Sequence, residues 1–183
     1  MIVSAGLSEI FPFATPIGVG LVNASINLTR IVMTESPKKI LFVGTAGSYG
    51  KYKVFDLITT NRAVNIEIGF LQNLSYSPIL AEARGVDPDV PRETLNKIVV
   101  NSSNFITADA AQSKLFLENG LSIENMEFFA VLKVAEKFDI PTIGLFCIAN
   151  YCDKDAHDNY FQNNREAKEK LTEAVLSDFK DFL

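Results

Sequence analysis

Cysteine is scarce in this chain and histidine scarcer, with Cys147 and Cys152 as the two thiols and His157 as the one imidazole. Two cysteines do not make a disulfide framework. Cys147 lies in a strand-like apolar run and reads as an inert core thiol. One histidine leaves no cluster with transition-metal spacing, so no metal site is expected. His157 stands in the polar stretch "CDKDAHDNY" and is expected at the surface, which argues against a nucleophile–His triad built on it. No block of Lys or Arg stands out and the net charge is −5, so nucleic acid is not an expected partner. A small anion remains admissible, because one local pocket can oppose the global sign. No apolar run approaches a membrane span, and "MIVSAGLSEIF" opens without a basic n-region or an Arg-rich amphipathic start. Neither membrane association nor a targeting peptide is therefore expected, and the cytoplasm is the expected compartment.

What is present suits one globular domain over residues 1–183, large enough to bury a substantial core. Hydrophobic residues make up 48% and charged residues 21%. "MIVSAG" reads as a short strand ending at Gly6. "FPFATPIGVG" reads as strand and turn, broken by its prolines and glycines. Leu21 to Glu35 carries apolar residues at helical spacing and predicts a helix, which Pro37 ends. Ile40 to Val43 is a buried strand running into the Gly-rich loop "VGTAGSYG". "VFDLITT" and "AVNIEIGF" are expected strands. Gln72 to Thr94, with Pro78, Pro88 and Pro91, reads as a long loop or flap. "KIVVNSSNFIT" is strand then turn, and "ADAAQSKLFLENG" a helix stopped by Gly120. Phe128 to Phe138 is a helix and "DIPTIGLFCIA" a buried strand. The tail is an amphipathic helix with Leu171, Val175, Phe179 and Phe182 on one side. Strands alternate with helices and several strands are continuously apolar. The expected fold is α/β, three-layered, with a central mixed β-sheet flanked by helices.

Three places could carry chemistry. A Gly-rich turn leaving a buried strand at Val43–Gly50 would expose backbone N–H groups where open α/β sheets bind ligands. It is neither a Walker loop nor a dinucleotide fingerprint, and an ordinary turn fits as well. In "ENMEFFA", Glu124 and Glu127 suit a helix dipole at an N-terminus. The apolar neighbours Met126 and Phe128 instead suggest that Glu127 is buried, where a carboxylate needs partners such as ligand hydroxyls. Asn150 ends an apolar strand; it either begins the next loop or offers an amide that donates and accepts at once, as a purine edge requires.

At these residues the chain resembles the nucleoside phosphorylase/nucleosidase superfamily. "PIGVGLVNASINLTRI" is similar to the family's Gly-x-Gly-x-x-Asn-Ala turn into its first long helix. "ILFVGTAGSYG" is similar to its strand and Gly-x-Ala-Gly loop, and "NSSNFIT" to the segment that places an aromatic over the base. "ENMEFFAVLKVAEKFDIPTIGLFCIANY" resembles the Met-Glu sugar-binding helix and the strand ending in the base-binding residue, and is the most specific of the four.

The resemblance implies roles. Glu127 would accept hydrogen bonds from the ribose hydroxyls, and Met126 would pack on the sugar. Phe105 would stack on the purine, Asn150 would bind its edge, and Thr45, Ala46, Gly47 and Asn125 would complete the substrate site. Gly6, Gly44 and Thr45 would face the phosphate or water. The amide of Asn150 favours 6-oxopurines. The expected activity is therefore a purine nucleoside phosphorylase of purine salvage. It would cleave inosine or guanosine with phosphate as co-substrate, without a cofactor, as a homo-oligomer (dimer or hexamer). The alternatives are a nucleosidase or futalosine hydrolase using water, and a non-catalytic nucleoside binder. The departures make hydrolysis a serious rival. The segment from Gly6 to Gly18 is shorter than in the family and lacks its phosphate-binding Arg. Phe42 stands where hexameric phosphorylases carry a second one, and Ser103 stands for the usual Asp. Lys51, Lys53, Arg62 or a neighbouring subunit is the expected substitute, and the Gln72–Thr94 loop is the expected lid or subunit contact.

Overall fold

Two long strands, buried almost to their ends, set the architecture. In the computed structural model, which describes residues 1–79, 81–85 and 98–183, β3 (Ile40–Ser48) and β9 (Thr142–Tyr151) run parallel and pair along their whole length. Their side chains alternate between two cores. Ile40, Phe42, Phe146 and Ile148 point to one side, while Leu41, Val43, Ile143, Leu145 and Cys147 point to the other. Because both faces are covered, residues 40–43 and 143–149 are apolar at consecutive positions rather than at every second one.

The first core is closed by α1 (Leu21–Glu35) and α4 (Phe128–Lys137), which contribute Ala24, Leu28, Val32, Val131 and Leu132. The second is closed by the long helix α5 (Ala156–Asp178) through Ala167, Leu171, Ala174 and Val175. Helices on both faces of a mixed sheet make the three-layer α/β arrangement that the sequence predicts.

The sheet, nine-stranded among the described residues, also curls. β1 (Ile2–Ser4) pairs parallel with the start of β3, and β2 (Thr15–Pro16) pairs with β1. The end of β3 pairs with β8 (Ile123–Glu124), which pairs with β7 (Val100–Asn101), which pairs with β5 (Arg62–Val64). On its other side β9 pairs with β4 (Leu57–Thr60). Only Asn61 separates β4 from β5, so the path β4-β9-β3-β8-β7-β5 returns to its own start. Two short helices, α2 (Ile68–Leu71) and α3 (Ala110–Glu118), pack on this curled end.

Several elements differ from expectation. "VGTAGSYG" is not a loop, because β3 continues through Gly44–Ser48, paired to β9 throughout. The second half of "AVNIEIGF" turns into α2. The expected flap contains a strand, β6 (Glu82–Arg84), antiparallel to β5; residues 80 and 86–97 lie outside the described residues. Arg62 and Arg84 both pair with Glu82 across this edge. Among the described residues no helix is long and apolar enough to cross a membrane.

Candidate active site

The curl brings the C-terminal ends of β1, β3, β8 and β9 around a cavity of about 420 Å³. β9 reaches it through a bulge. The register passes from Ala46 opposite Ile148 to Gly47 opposite Asn150, which leaves Ala149 unpaired. The carbonyl of Ala149 accepts instead from Asn163 Nδ2 of α5 at 2.8 Å. The bulge re-aims the strand end, and the buried Asn150 faces the cavity. Its Nδ2 donates to Tyr151 O at 2.9 Å, leaving the second N–H and Oδ1 for a ligand.

Glu127 stands at the entrance of α4 and is only 3% exposed. Its Oε1 accepts from the backbone N–H of Gly20 at 2.9 Å. Gly20 is the N-cap of α1, so this carboxyl occupies the positive end of that helix. The next free N–H, of Leu21, is taken by Asn104 Oδ1 at 2.9 Å. Burial pushes the Glu127 pKa up to about 8, the Gly20 N–H opposes the shift, and the nearby charge of Glu9 adds to it.

Glu9 is the residue that sequence reasoning missed. After β1 the chain turns back at Gly6 and Leu7, both with left-handed φ (87° and 53°), and Glu9 N donates to Gly6 O at 2.9 Å. The turn drives Glu9 inward until its side chain is 6% exposed. Its Oε1 accepts from Thr45 N at 3.1 Å and from Thr45 Oγ1. Its Oε2 is buried and has no hydrogen-bond partner among the described residues. Burial raises its pKa, and the two Thr45 donors pull the other way. The available signal was slight: Glu9 is the lone acid between Ala5 and Gly20.

The structure gathers most of the expected residues on one cavity. Gly6, Thr45, Ala46, Gly47, Phe105, Asn125, Met126, Glu127 and Asn150 all line it. Two of them have more than the expected position. Asn125 lines the cavity, yet its amide is engaged: Nδ2 donates to Thr45 O, and Oδ1 accepts from Glu127 N and Phe128 N. It ties α4 to β3. Phe105 is 77% exposed at the rim. Gly44 is not on the wall. It lies behind Glu9, where an added Cβ would come within 2.9 Å of Oε2. His157 is exposed as expected, but on the first turn of α5 beside the cavity rather than in a loop.

The expected cation substitutes do not reach the site. Neither Lys51, Lys53 nor Arg62 borders the cavity, and among the described residues its wall contains no lysine or arginine. Phe42 is fully buried, packed against Phe128 and Phe146 with ring centroids 5.7 and 5.6 Å away.

Comparison with known proteins bears on the family and the fold. The family model described as "Phosphorylase superfamily" matches residues 7–180. The aminodeoxyfutalosine nucleosidase of Helicobacter pylori (strain J99) is 22% identical, the match covering 87% of this chain and 77% of that protein. The 5'-methylthioadenosine/S-adenosylhomocysteine nucleosidase of Buchnera aphidicola is 26% identical, covering 80% and 70%. Among solved structures, the Helicobacter pylori 5'-methylthioadenosine/S-adenosylhomocysteine nucleosidase superposes with a TM-score of 0.83 at 17% identity, covering 98% of this chain and 97% of that one. The futalosine hydrolase of Helicobacter pylori strain 26695 does so with a TM-score of 0.83 at 18% identity, covering 98% and 96%. These relatives are named as nucleosidases and a hydrolase. They overturn the expectation of a phosphorylase acting on inosine or guanosine, and the water-using alternative fits better.

Proposed function

This chain belongs to the phosphorylase superfamily, and on that premise we propose that it is a nucleosidase, hydrolysing the N-glycosidic bond of a purine nucleoside to free base and sugar. The observation that carries this reading is Glu9. A buried carboxyl with one oxygen tied to Thr45 and the other unpartnered suits a water molecule. It does not suit phosphate, whose negative charge would meet two acids and, among the described residues, no arginine or lysine on the wall.

The chemistry needs three groups. Breaking C1'–N9 sends the bonding pair to the purine and leaves positive charge on the sugar. Glu127, at the head of α4, accepts from the ribose hydroxyls and stabilises that charge. Those hydroxyls replace the solvation that burial removed, so substrate itself favours the ionised form of Glu127. Glu9 Oε2 holds the water and takes its proton as the oxygen bonds to C1', a general-base role that is typically worth ~10²–10⁴-fold. Asn150 meets the purine edge with its free N–H and Oδ1, and the departing base takes a proton from solvent. Preorganised donors at such a leaving group contribute roughly 3–4 kcal/mol each. Met126 packs beneath the sugar and Phe105 covers the base from the rim.

The test is product analysis with 5'-methylthioadenosine and adenosine, with and without phosphate. Phosphate-independent release of adenine with a free sugar is the expected result. Release that requires phosphate and yields a sugar 1-phosphate would overturn the reading.

A further inference from the structure

The cavity carries a third acid that this chemistry leaves unused. Glu124, in β8, lines the wall, yet its carboxyl is filled by neighbours. Thr107 N donates to Oε1 at 3.0 Å, and Thr107 Oγ1 donates to Oε2 at 2.7 Å. Tyr49 Oη lies 2.9 Å from Oε2, and the Cys152 thiol donates to the same carboxyl.

The direction of the Tyr49 bond is fixed by a relay. Asn101 Oδ1 accepts from Ile66 N at 2.9 Å and Asn101 Nδ2 donates to Ile66 O at 3.0 Å, so that amide has one orientation. Its Nδ2 also donates to Tyr49 Oη at 3.2 Å, which leaves the Tyr49 proton for Glu124. A carboxylate offers about four acceptor positions. Thr107 fills two, and Tyr49 and Cys152 fill one each, so none remains for a ligand. Thr107, Tyr49 and Cys152 all stand off the cavity wall. A carboxyl spent wholly on such neighbours acts through them.

Thr107 is the neighbour that matters to the cavity. It closes a rim strap, residues 104–107, whose other end is pinned as well. Asn104 Oδ1 accepts from Leu21 N at 2.9 Å, one residue from the Gly20 N–H that holds Glu127. Between the pins stand Phe105 and Ile106, 77% and 57% exposed on the cavity rim. So exposed a ring is not held by packing. Its place follows from the backbone that carries it, and Asn104 fixes that backbone on one side and Glu124 on the other. Thr107 reaches both carboxyl oxygens, one with its N–H and one with its hydroxyl, which sets orientation as well as distance.

We propose that Glu124 is a positioning residue, which through Thr107 holds the strap so that Phe105 lies over the base, without itself touching substrate. The proposal rests on the purine-site reading above, and its test is read in binding so that the two fail separately.

The experiment is a double-mutant cycle on adenine binding, measured by calorimetric titration of the full chain, Glu124→Gln, Phe105→Ala and the two combined. Gln keeps the size of the side chain but turns N–H groups toward donors at one of its ends. Phe105→Ala should weaken adenine ~10-fold or more, as for a lost stacking partner. Glu124→Gln should weaken it ~3–10-fold in the native background. In the Phe105→Ala background the same change should cost less than ~2-fold, because no ring is left to place. Should Glu124→Gln fail to fold, Thr107→Val, which removes one of the two strap bonds, takes its place in the cycle. Equal losses in both backgrounds overturn the positioning role, since Glu124 would then act independently of Phe105. Native affinity in Glu124→Gln or in Phe105→Ala overturns it too. Failure of the native chain to bind adenine overturns the purine site and the proposal with it, whereas equal losses leave that site standing.

Discussion

The carboxyl of Glu127 and the backbone N–H of Gly20, 107 positions apart, meet at 2.9 Å at the head of α1. This contact places an acid from the α4 entrance on the positive end of another helix, with the cavity on its open side. Replacing Glu127 by Ala should lower kcat/KM by ~10²-fold or more, since a charged, preorganised group is lost from the transition state. Free adenine should still bind, because the proposed site puts the base on the Asn150 side. Unchanged turnover would remove Glu127 from the reaction.

The same burial has a consequence for stability. Burial raises the Glu127 pKa to about 8 in the folded chain from an ordinary carboxyl value of 4.5. The folded state keeps a proton that the unfolded chain gives up. The stabilisation from this group is thus fully present below ~4.5 and is lost as pH rises through ~8. Between pH ~5 and ~8 the melting temperature of the native chain should fall more steeply than that of Glu127→Gln, which has no carboxyl to titrate there. Parallel curves would contradict this.

Gly44→Ala tests the packing behind Glu9. The new Cβ would lie 2.9 Å from Glu9 Oε2 and 3.0 Å from Phe42 Cε1. Phe42 is held by Phe128 and Phe146, so the carboxyl must give way. Catalysis should drop ~10²-fold, as a misplacement near 1 Å can cause, with about 1–3 kcal/mol lost in stability from overpacking. Native kinetics in a folded Gly44→Ala would separate Glu9 from the chemistry.

Asn125→Ala tests whether that residue holds the site or the substrate. Its amide caps the first N–H groups of α4 and bonds β3. Loss should cost about 1–3 kcal/mol in unfolding free energy, measured in urea. A variant of native stability with a raised KM would instead mark direct substrate contact.

Much of this was legible in the chain. The helix from Leu21 to Glu35 follows from apolar spacing and from Pro37, and in the structure it closes on a left-handed Ser36. The apolar runs around Phe42 and Phe146 announce strands buried on both faces. Glu127 and Asn150 stand out because each interrupts such a run. Glu9 did not, since "GLSEIFPF" has no periodicity and its burial comes from a turn at Gly6 and Leu7 that carries its carboxyl to Thr45, far away in sequence. The Gly-rich stretch misled for a related reason. Gly44 and Gly47 look like loop formers, yet they sit in β3 because Glu9, Asn150 and Cys152 need the space that side chains would fill. Local sequence does not show what approaches from the other side of a sheet.

The water-activating role of Glu9 is the centre of the account. The most direct measurement is the turnover of 5'-methylthioadenosine by Glu9→Gln beside its binding affinity for adenine. The amide keeps the shape and the Thr45 contact but cannot take a proton. The account predicts a kcat at least ~10²-fold below native with adenine binding unchanged. Native turnover by a folded Glu9→Gln would contradict it.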